Sequence, residues 1–467
     1  MLNRNCIAML SFCMLLCFSG ITHAQQQTLS PLKVSANGRY FQTSDGQPFF
    51  WLGDTGWLLF TRLTREETEQ YLNDRKQKGF NVIQVMVLPG VTAANIYGDS
   101  ALIGKNVGKP LTTSGSQSAD ANQYDYWDHV DFVVSKAAEK GLYMALVPVW
   151  GSPVKAGLVT EKDAVTYASF LADRYKHFPN IIWMNGGDIK GSDSMHIWKA
   201  IGNTLHSKDP GHLVTFHPRG RTQSSDWFHD SSWLAFNMFQ SGHRRYNQDT
   251  TAGEKHYGED NWKYVNTDYN RKPVKPVIDG EPSYEGIPQG LHDSIEPFWK
   301  DSDVRRYGYW SVFAGACGYT YGHNAVMQMH KHGDGRGVYG VREYWETAIH
   351  APGAGQMQYL QKLMYSRDYA TRVPDQSLLA QNGQGYQHLQ ATRGKDYAFI
   401  YTYTGSNISV NMGHIAGRRV KAAWYDPRNG ETKEIGTYPN NKGVIMFDPP
   451  GEEKEGNDWV LVMDSVK

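Results

Sequence analysis

Apolar residues keep two different rhythms along this chain, and the change of rhythm divides it. From Phe49 to Met364, short apolar runs alternate with stretches whose apolar positions recur at helical spacing. The runs are Phe49-Phe-Trp-Leu52, Phe80-Asn-Val-Ile-Gln84-Val-Met-Val-Leu88, residues 142–149, Ile181-Ile-Trp-Met184, Leu213-Val-Thr-Phe-His217, Leu234-Ala-Phe-Asn237-Met-Phe-Gln240, Val277-Ile278 and Cys317-Gly-Tyr319-Thr-Tyr321. Among the helical stretches, one opens at Thr64 with Glu67 as a capping box and stops near Gly79. Others carry Val130, Val133, Val134 and Ala137, then Ala164, Tyr167, Ala168, Leu171 and Tyr175, then Ile197, Ile201 and Leu205. Two more lie around Val304 to Phe313 and around Met357, Leu360, Leu363 and Met364. Eight strand-like runs, most followed by a helix, predict a parallel sheet closed into a (β/α)8 TIM barrel. An open doubly wound sheet would carry a Gly-rich phosphate loop after its first strand, and Gly53-Asp54-Thr55-Gly56 lacks that spacing.

In front of the barrel, Asn37-Gly38 and Asp45-Gly46 separate short runs as hairpin turns do. Past Pro374 the helical spacing disappears. Tyr397-Ala-Phe-Ile-Tyr-Thr-Tyr403, Ile408-Ser-Val-Asn-Met412, Val420-Lys-Ala-Ala-Trp-Tyr-Asp426, Val444-Ile-Met-Phe447 and Trp459-Val-Leu-Val-Met463 are short strands divided by Asn-Gly and Lys-Gly turns. They predict a small antiparallel β-sandwich over residues 376–467, after a barrel domain of 25–375. The polar segment 91–124, rich in Gly, Ser and Asn, follows the second strand and is expected to be a substrate-facing excursion.

Residues 1–24 are an expected export signal: Arg4, a largely apolar run from Ile7 to Ile21, and Thr22-His-Ala24 before Gln25. No membrane span is expected after its removal. Three of the four cysteines, Cys6, Cys13 and Cys17, lie in it, which leaves Cys317 alone and no intramolecular disulfide. Acylation at Cys17 is disfavoured by Leu16 before it. An exported, periplasmic or secreted protein with a core large enough to need no disulfide staple follows. The formal charge of zero gives no sign of a nucleic-acid partner. Fourteen Trp and 28 Tyr provide aromatic faces of the kind that stack on sugar rings.

Barrel chemistry sits at the C-terminal ends of the strands. The residues expected there are Asp54 and Trp57, Gln84, Trp150, Asn185 and Asp188, His217 and Arg219, Asn237 and Gln240, Glu281, and Tyr319, Tyr321 and His323. Carboxylates, amides, histidines and aromatics together match what a sugar site needs. Glycoside hydrolysis requires one acid that protonates the leaving oxygen and one carboxylate that attacks or activates water. Strands four and seven stand across the ring, and each ends in an acid beside glycine: Asn185-Gly-Gly-Asp188 and Asp279-Gly-Glu281. Asp188, whose partial burial would raise its pKa, is read as acid/base, and Glu281, fixed by Pro282, as nucleophile. Asp279, Glu285 and Asp54 are alternatives; Asp279, two residues before Glu281, would share its face. His330-Lys-His332-Gly-Asp334 crowds its donors into one polar loop and is read as no metal site; no cofactor is expected.

Four motifs, Phe49-Phe-Trp-Leu-Gly-Asp-Thr-Gly-Trp57, Lys78-Gly-Phe-Asn-Val-Ile-Gln84, Trp183-Met-Asn-Gly-Gly-Asp188 and Asp279-Gly-Glu-Pro-Ser-Tyr-Glu285, together resemble glycoside hydrolase family 140. The resemblance spans the mature chain and includes a C-terminal sandwich labelled as collagen-binding, with its Ala423-Trp-Tyr-Asp-Pro-Arg-Asn-Gly430 turn. It implies an apiosidase acting on the plant pectin rhamnogalacturonan II, with the catalytic Asp at Asp188 and the catalytic Glu at Glu281. The acids on strands four and seven also resemble the retaining (β/α)8 glycosidase clan, in which a Glu follows Asn directly; this chain has Gly186 after Asn185. A retaining outcome is the expectation. Pectin is anionic, and Arg219, Arg221, Arg244 and Arg245 could pair with galacturonate. The competing readings are a barrel glycosidase for another plant furanoside or β-linked glycan, and a non-catalytic polysaccharide- or collagen-binding protein.

Overall fold

The computed structural model describes residues 29–250, 255–291, 295, 297–335, 337–441 and 443–466. The expected export signal lies outside them. The predicted barrel is present. Its strands are β1 (Trp51–Thr55), β2 (Val82–Met86), β3 (Tyr143–Val147), β4 (Ile181–Ile189), β5 (Val214–Pro218), β6 (Asn237–Gln240), β7 (Val277–Asp279) and β8 (Gly318–Tyr321). They run parallel in the order β5-β4-β3-β2-β1-β8-β7-β6. The ring closes between β5 and β6, where the Ala235 amide donates to Val214 O at 2.8 Å and the Thr215 hydroxyl donates to Phe236 O at 2.7 Å.

Each strand is buried on both faces, so its alternation sorts side chains into two cores. Val82, Ala145, Val147, Ile182, Met184, Met238 and Ile278 belong to the cluster that fills the barrel. Ile83, Val85, Met144, Leu146, Trp183 and Phe216 point outward to the helices. The N-terminal segment is a three-stranded meander (Lys33–Val34, Phe41–Gln42, Pro48–Phe49), one strand more than a hairpin. It closes the barrel floor: the Phe41 ring lies 4.9 Å from Phe236 and 6.1 Å from Trp51.

Helices begin where their caps predict. Helix α1 (Arg65–Gln77) has the complete box, Glu67 N–H to Thr64 Oγ1 at 3.2 Å and Thr64 N–H to Glu67 Oε2 at 2.8 Å. Helices α2 (Tyr126–Glu139) and α3 (Glu161–Tyr175) are capped by Asp125 and Thr160. Then follow α4 (Met195–Lys208), α5 (Asn261–Tyr269), α6 (Asp301–Phe313) and α7 (Pro352–Tyr365). The excursion 91–124 packs against the helix layer over part of its length. Ala93, Ala101, Leu102 and Val107 are buried in the outer core, and the Trp127 indole donates to Ala101 O at 3.1 Å. Its scattered apolar residues decide this, because they have a helix surface to cover.

The C-terminal region is a six-stranded antiparallel sheet with a two-stranded sheet (Ile408–Asn411, Val444–Phe447) over one face. Three of its strands carried no sequence signal: Val373–Pro374, Gln390–Arg393 and Thr432–Pro439. The last is polar and mostly exposed, so it lacks an alternation to read. The other face of the sheet, with Tyr397, Phe399, Tyr401 and Tyr403, packs on the barrel in one continuous core. Tyr309 of α6 stacks on Tyr401 at 4.8 Å, and the buried Arg305 guanidinium is bidentate to Asp458, at 2.9 and 2.8 Å. Removing one partner strands a buried charge, so Arg305→Ala is expected to cost about 3–5 kcal/mol. Differential scanning calorimetry should show a lower Tm in a single transition of both domains.

Candidate active site

At the C-terminal end of the barrel lies a cleft of about 410 Å³. Trp57, Trp150, Asp188, Arg219, Gln240 and Glu281 line it, all of them expected from the sequence. Arg221, His243, Arg244, Tyr284 and Tyr339 join them.

Asp188 reaches the cleft because β4 breaks its register. Gly186 pairs with His217 and Ile189 with Pro218, so Gly187 and Asp188 bulge out of the ladder. Gly186 and Gly187 have φ of +90° and +114°, and Asp188 itself is left-handed at +47°. No side chain fits at either glycine. A Cβ on Gly186 would lie 2.5 Å from His217 O, and one on Gly187 would lie 2.5 Å from the Trp150 ring. Gly187→Ala is therefore expected to displace Asp188 and lower kcat/KM about 100-fold, with a lower Tm as well, because the added Cβ is strained at that φ and meets the Trp150 ring. Steady-state kinetics and a thermal melt on one preparation check this.

Glu281 stands two residues past β7, where the turn at Gly280 ends the strand alternation. Gly280 itself is fixed by Gln84, whose buried amide donates to Gly280 O at 2.8 Å. The Glu281 carboxylate meets His243 Nε2 at 3.3 Å through Oε1 and His217 Nε2 at 3.1 Å through Oε2, with the Tyr284 hydroxyl beside it. Trp57 Nε1 donates to the same Tyr284 oxygen at 3.0 Å. On its far side, His217 Nδ1 accepts the Asp188 backbone N–H at 3.3 Å, which places the ring hydrogen on Nε2, toward Glu281. One imidazole thus ties the two carboxylate-bearing segments together.

The two acids are driven apart in proton affinity. Asp188 is pushed up to about 6, by burial among the cleft walls first and by the Glu281 charge second, against His217, the Gly220 amide and His243. Solvent reaches the Asp188 side chain from the cleft while protein surrounds its other sides, and that enclosure accounts for the direction. Burial also acts to raise Glu281, but hydrogen bonds from His217 and His243 outweigh it and hold the group at about 2. Between those values one acid keeps its proton and the other is ionised, the division that acid-assisted displacement at a glycosidic carbon needs.

The remaining expected residues serve the frame instead. Asp54, Asn185 and Asn237 face outward: Asp54 binds Tyr71 at 2.6 Å and Arg75 at 3.2 Å, Asn185 donates to Trp198 O at 2.7 Å, and Asn237 pairs with His229 at 3.2 Å. On β8 it is Thr320, held by Trp51 Nε1 at 3.0 Å, that turns inward. Tyr319 and Tyr321 therefore lie in the helix layer, where Tyr321 OH donates to Glu285 at 2.6 Å. His323 caps a short helix through the Ala325 amide at 3.1 Å, and Gln84 positions Gly280. Asp279 does not share a face with Glu281. It is buried toward α5, bonded to Ser241 at 2.7 Å and Asn261 at 3.2 Å, with its carboxyl pushed up to about 7 by burial. Glu285 is tied to Tyr321 and the Gly353 amide. In the polar loop, His332 lies 3.6 Å from the Tyr344 ring and Asp334 pairs with Arg62. No cluster of His, Cys, Asp and Glu among the described residues is arranged to hold a metal ion, and no helix among them is long and apolar enough to cross a membrane.

Residues 35–371 match the family model "Apiosidase-like, catalytic domain", and residues 373–464 match "Putative collagen-binding domain of a collagenase". No curated protein sequence matches the chain. A solved structure named "Glycoside hydrolase" is 47% identical with a TM-score of 0.88, over 93% of this chain and 97% of that one. A crystal structure of a glycoside hydrolase family 5 protein from Bacteroides vulgatus ATCC 8482 is 46% identical with a TM-score of 0.88, over 93% of each chain. With the barrel, the cleft and the paired acids already described, these matches make the chain a member of the apiosidase-like family of glycoside hydrolases.

Proposed function

We propose that the protein is an exported apiosidase that hydrolyses apiosyl linkages of plant pectin, rhamnogalacturonan II, with Asp188 as acid/base and Glu281 as nucleophile. The observation that carries the mechanism is the placement of the two acids in one cleft, Asp188 on the β4 bulge and Glu281 held between His217 and His243, an arrangement that raises the proton affinity of the first and lowers that of the second. Asp188 donates its proton to the leaving oxygen as Glu281 attacks the anomeric carbon, giving a glycosyl ester. Asp188, now ionised, takes a proton from the water that cleaves this ester, so enzyme and proton count are both restored. His217 and His243 keep Glu281 ionised and aimed, and Trp57 and Trp150 offer ring faces at the same opening.

The pectin assignment draws on the family description and on the charge of the cleft. Arg219, Arg221 and Arg244 line it together, Arg221 already paired with buried Asp249 at 2.9 Å, and planar guanidinium groups such as those of Arg219 and Arg244 suit the carboxylates of galacturonate. The apolar leader at residues 1–24 supports export.

The test is product analysis of residues 25–467 on rhamnogalacturonan II and its side-chain oligosaccharides. Release of a fragment ending in apiose is the expected result. Turnover restricted to some other glycan would discard the pectin assignment and keep the two-acid mechanism.

A further inference from the structure

The C-terminal domain reaches the wall of the catalytic cleft through one tyrosine. Residues 241–249, which follow β6, carry His243 against Glu281 and Arg244 into the cleft. Tyr246, three positions beyond His243, donates its backbone N–H to the Glu259 carboxylate at 3.3 Å. Glu259 is fully buried and shared by three parts of the molecule. Its Oε1 accepts both that amide and, at 2.9 Å, the hydroxyl of Tyr386, which belongs to the C-terminal domain. Its Oε2 pairs with Arg306 of α6 at 2.5 Å.

The rings reinforce the same junction. Tyr386 lies 5.7 Å from Tyr246 and 5.6 Å from Tyr403, and the Arg306 guanidinium sits 5.0 Å from the rings of both Tyr386 and Tyr403. Two residues along, His388 stacks flat on Trp262 at 4.2 Å, next to the same loop's return into α5. A buried carboxylate keeps one geometry only while its donors hold it, so losing the Tyr386 hydroxyl frees the Oε1 that anchors Tyr246.

We propose that Tyr386 is a positioning residue, through which the C-terminal domain fixes the β6 loop bearing His243 and Arg244 for substrate. The second domain is then a built part of the cleft wall. This inference rests on the reading of the cleft as the site of glycoside hydrolysis.

The experiment is Tyr386→Phe in the full mature chain, with Tyr403→Phe as its counterpart. Tyr403 donates to Asp303 at 3.0 Å across the same domain junction but, among the described residues, makes no hydrogen bond to residues 241–249. For Tyr386→Phe, KM is expected to rise about tenfold on the substrate turned over, with kcat within about twofold and a lower Tm from the bond lost to buried Glu259. Backbone hydrogen exchange over residues 241–249 should accelerate in that variant. Tyr403→Phe should move Tm and leave both KM and that exchange at wild-type values. Unchanged exchange over 241–249 in Tyr386→Phe would overturn the proposal, whatever the substrate. So would equal kinetic losses in the two variants that follow their Tm values. If the chain turns over none of the pectin substrates, the exchange measurement still decides the coupling, and the failure then belongs to the substrate assignment.

Discussion

Glu281→Gln is expected to lower kcat by about 10⁴-fold or more while the protein stays folded. Glutamine keeps the shape of the side chain, and its one carbonyl oxygen can still accept from one of the two imidazoles, His243 at the Oε1 position or His217 at the Oε2 position, while its amide nitrogen faces the other. What it lacks is the negative charge that attacks in the proposed mechanism, and no neighbour can supply it. Asp279 is turned away toward Ser241 and Asn261, and Glu285 is occupied by Tyr321 and the Gly353 amide. The loss therefore appears in kcat, with substrate binding largely preserved. Circular dichroism and a thermal melt on the same preparation establish that chemistry, not folding, is lost. Glu281→Ala leaves space in its place, and a small anion such as azide should then restore turnover of an activated glycoside, yielding the azide of inverted configuration.

Asp188→Ala has a different signature, because its damage depends on the leaving group. A sugar alkoxide is a poor leaving group without a proton, so turnover of the natural linkage should fall about 10²–10⁴-fold. An aryl glycoside with an acidic phenol leaves unaided. Its first step should survive, and the glycosyl ester should then accumulate, because the base that activates water is also gone. A burst of phenol followed by slow turnover is the expected trace. Equal losses on aryl and natural substrates would remove Asp188 from the acid role.

Both acids were legible in the sequence because each ends a buried run beside glycine, and strand ends are where a barrel places its chemistry. What the sequence did not disclose was which way the strand residues face. Strands buried on both sides show no polar alternation, so parity is hidden, and a shift of one residue moves every side chain to the other face. That is how Asp54, Asn185, Asn237, Tyr319 and Tyr321 were expected at a cleft they do not reach. The Gly186-Gly187 bulge shows the other side of the same limit. It resets the parity of β4 and delivers Asp188, and nothing short of the backbone reveals it. His243, Tyr284 and Tyr339 lie on loops beyond the strand ends, where no periodicity points at a shared cavity. Tyr284 alone had a signal, its place three residues after Glu281. The sandwich was visible from its apolar strands, but its grip on the β6 loop depends on Glu259, Arg306 and Tyr386, which are far apart in the chain and carry no common motif.

The central claim is that Asp188 holds its proton in the range where Glu281 has lost its own, and the pH dependence of kcat/KM for the wild-type chain tests it most directly. That profile reports the acid and base of the free enzyme. Since Asp188 must be protonated to act first as acid, activity should fall with rising pH through an inflection near about 6, the value to which burial and Glu281 push it. Glu281, held at about 2, should impose no acidic limb in the range where the protein is folded. In Asp188→Ala, assayed on an activated aryl glycoside, the alkaline limb should disappear. A wild-type profile that stays flat well above that inflection, or an alkaline limb that persists in Asp188→Ala, would contradict the account.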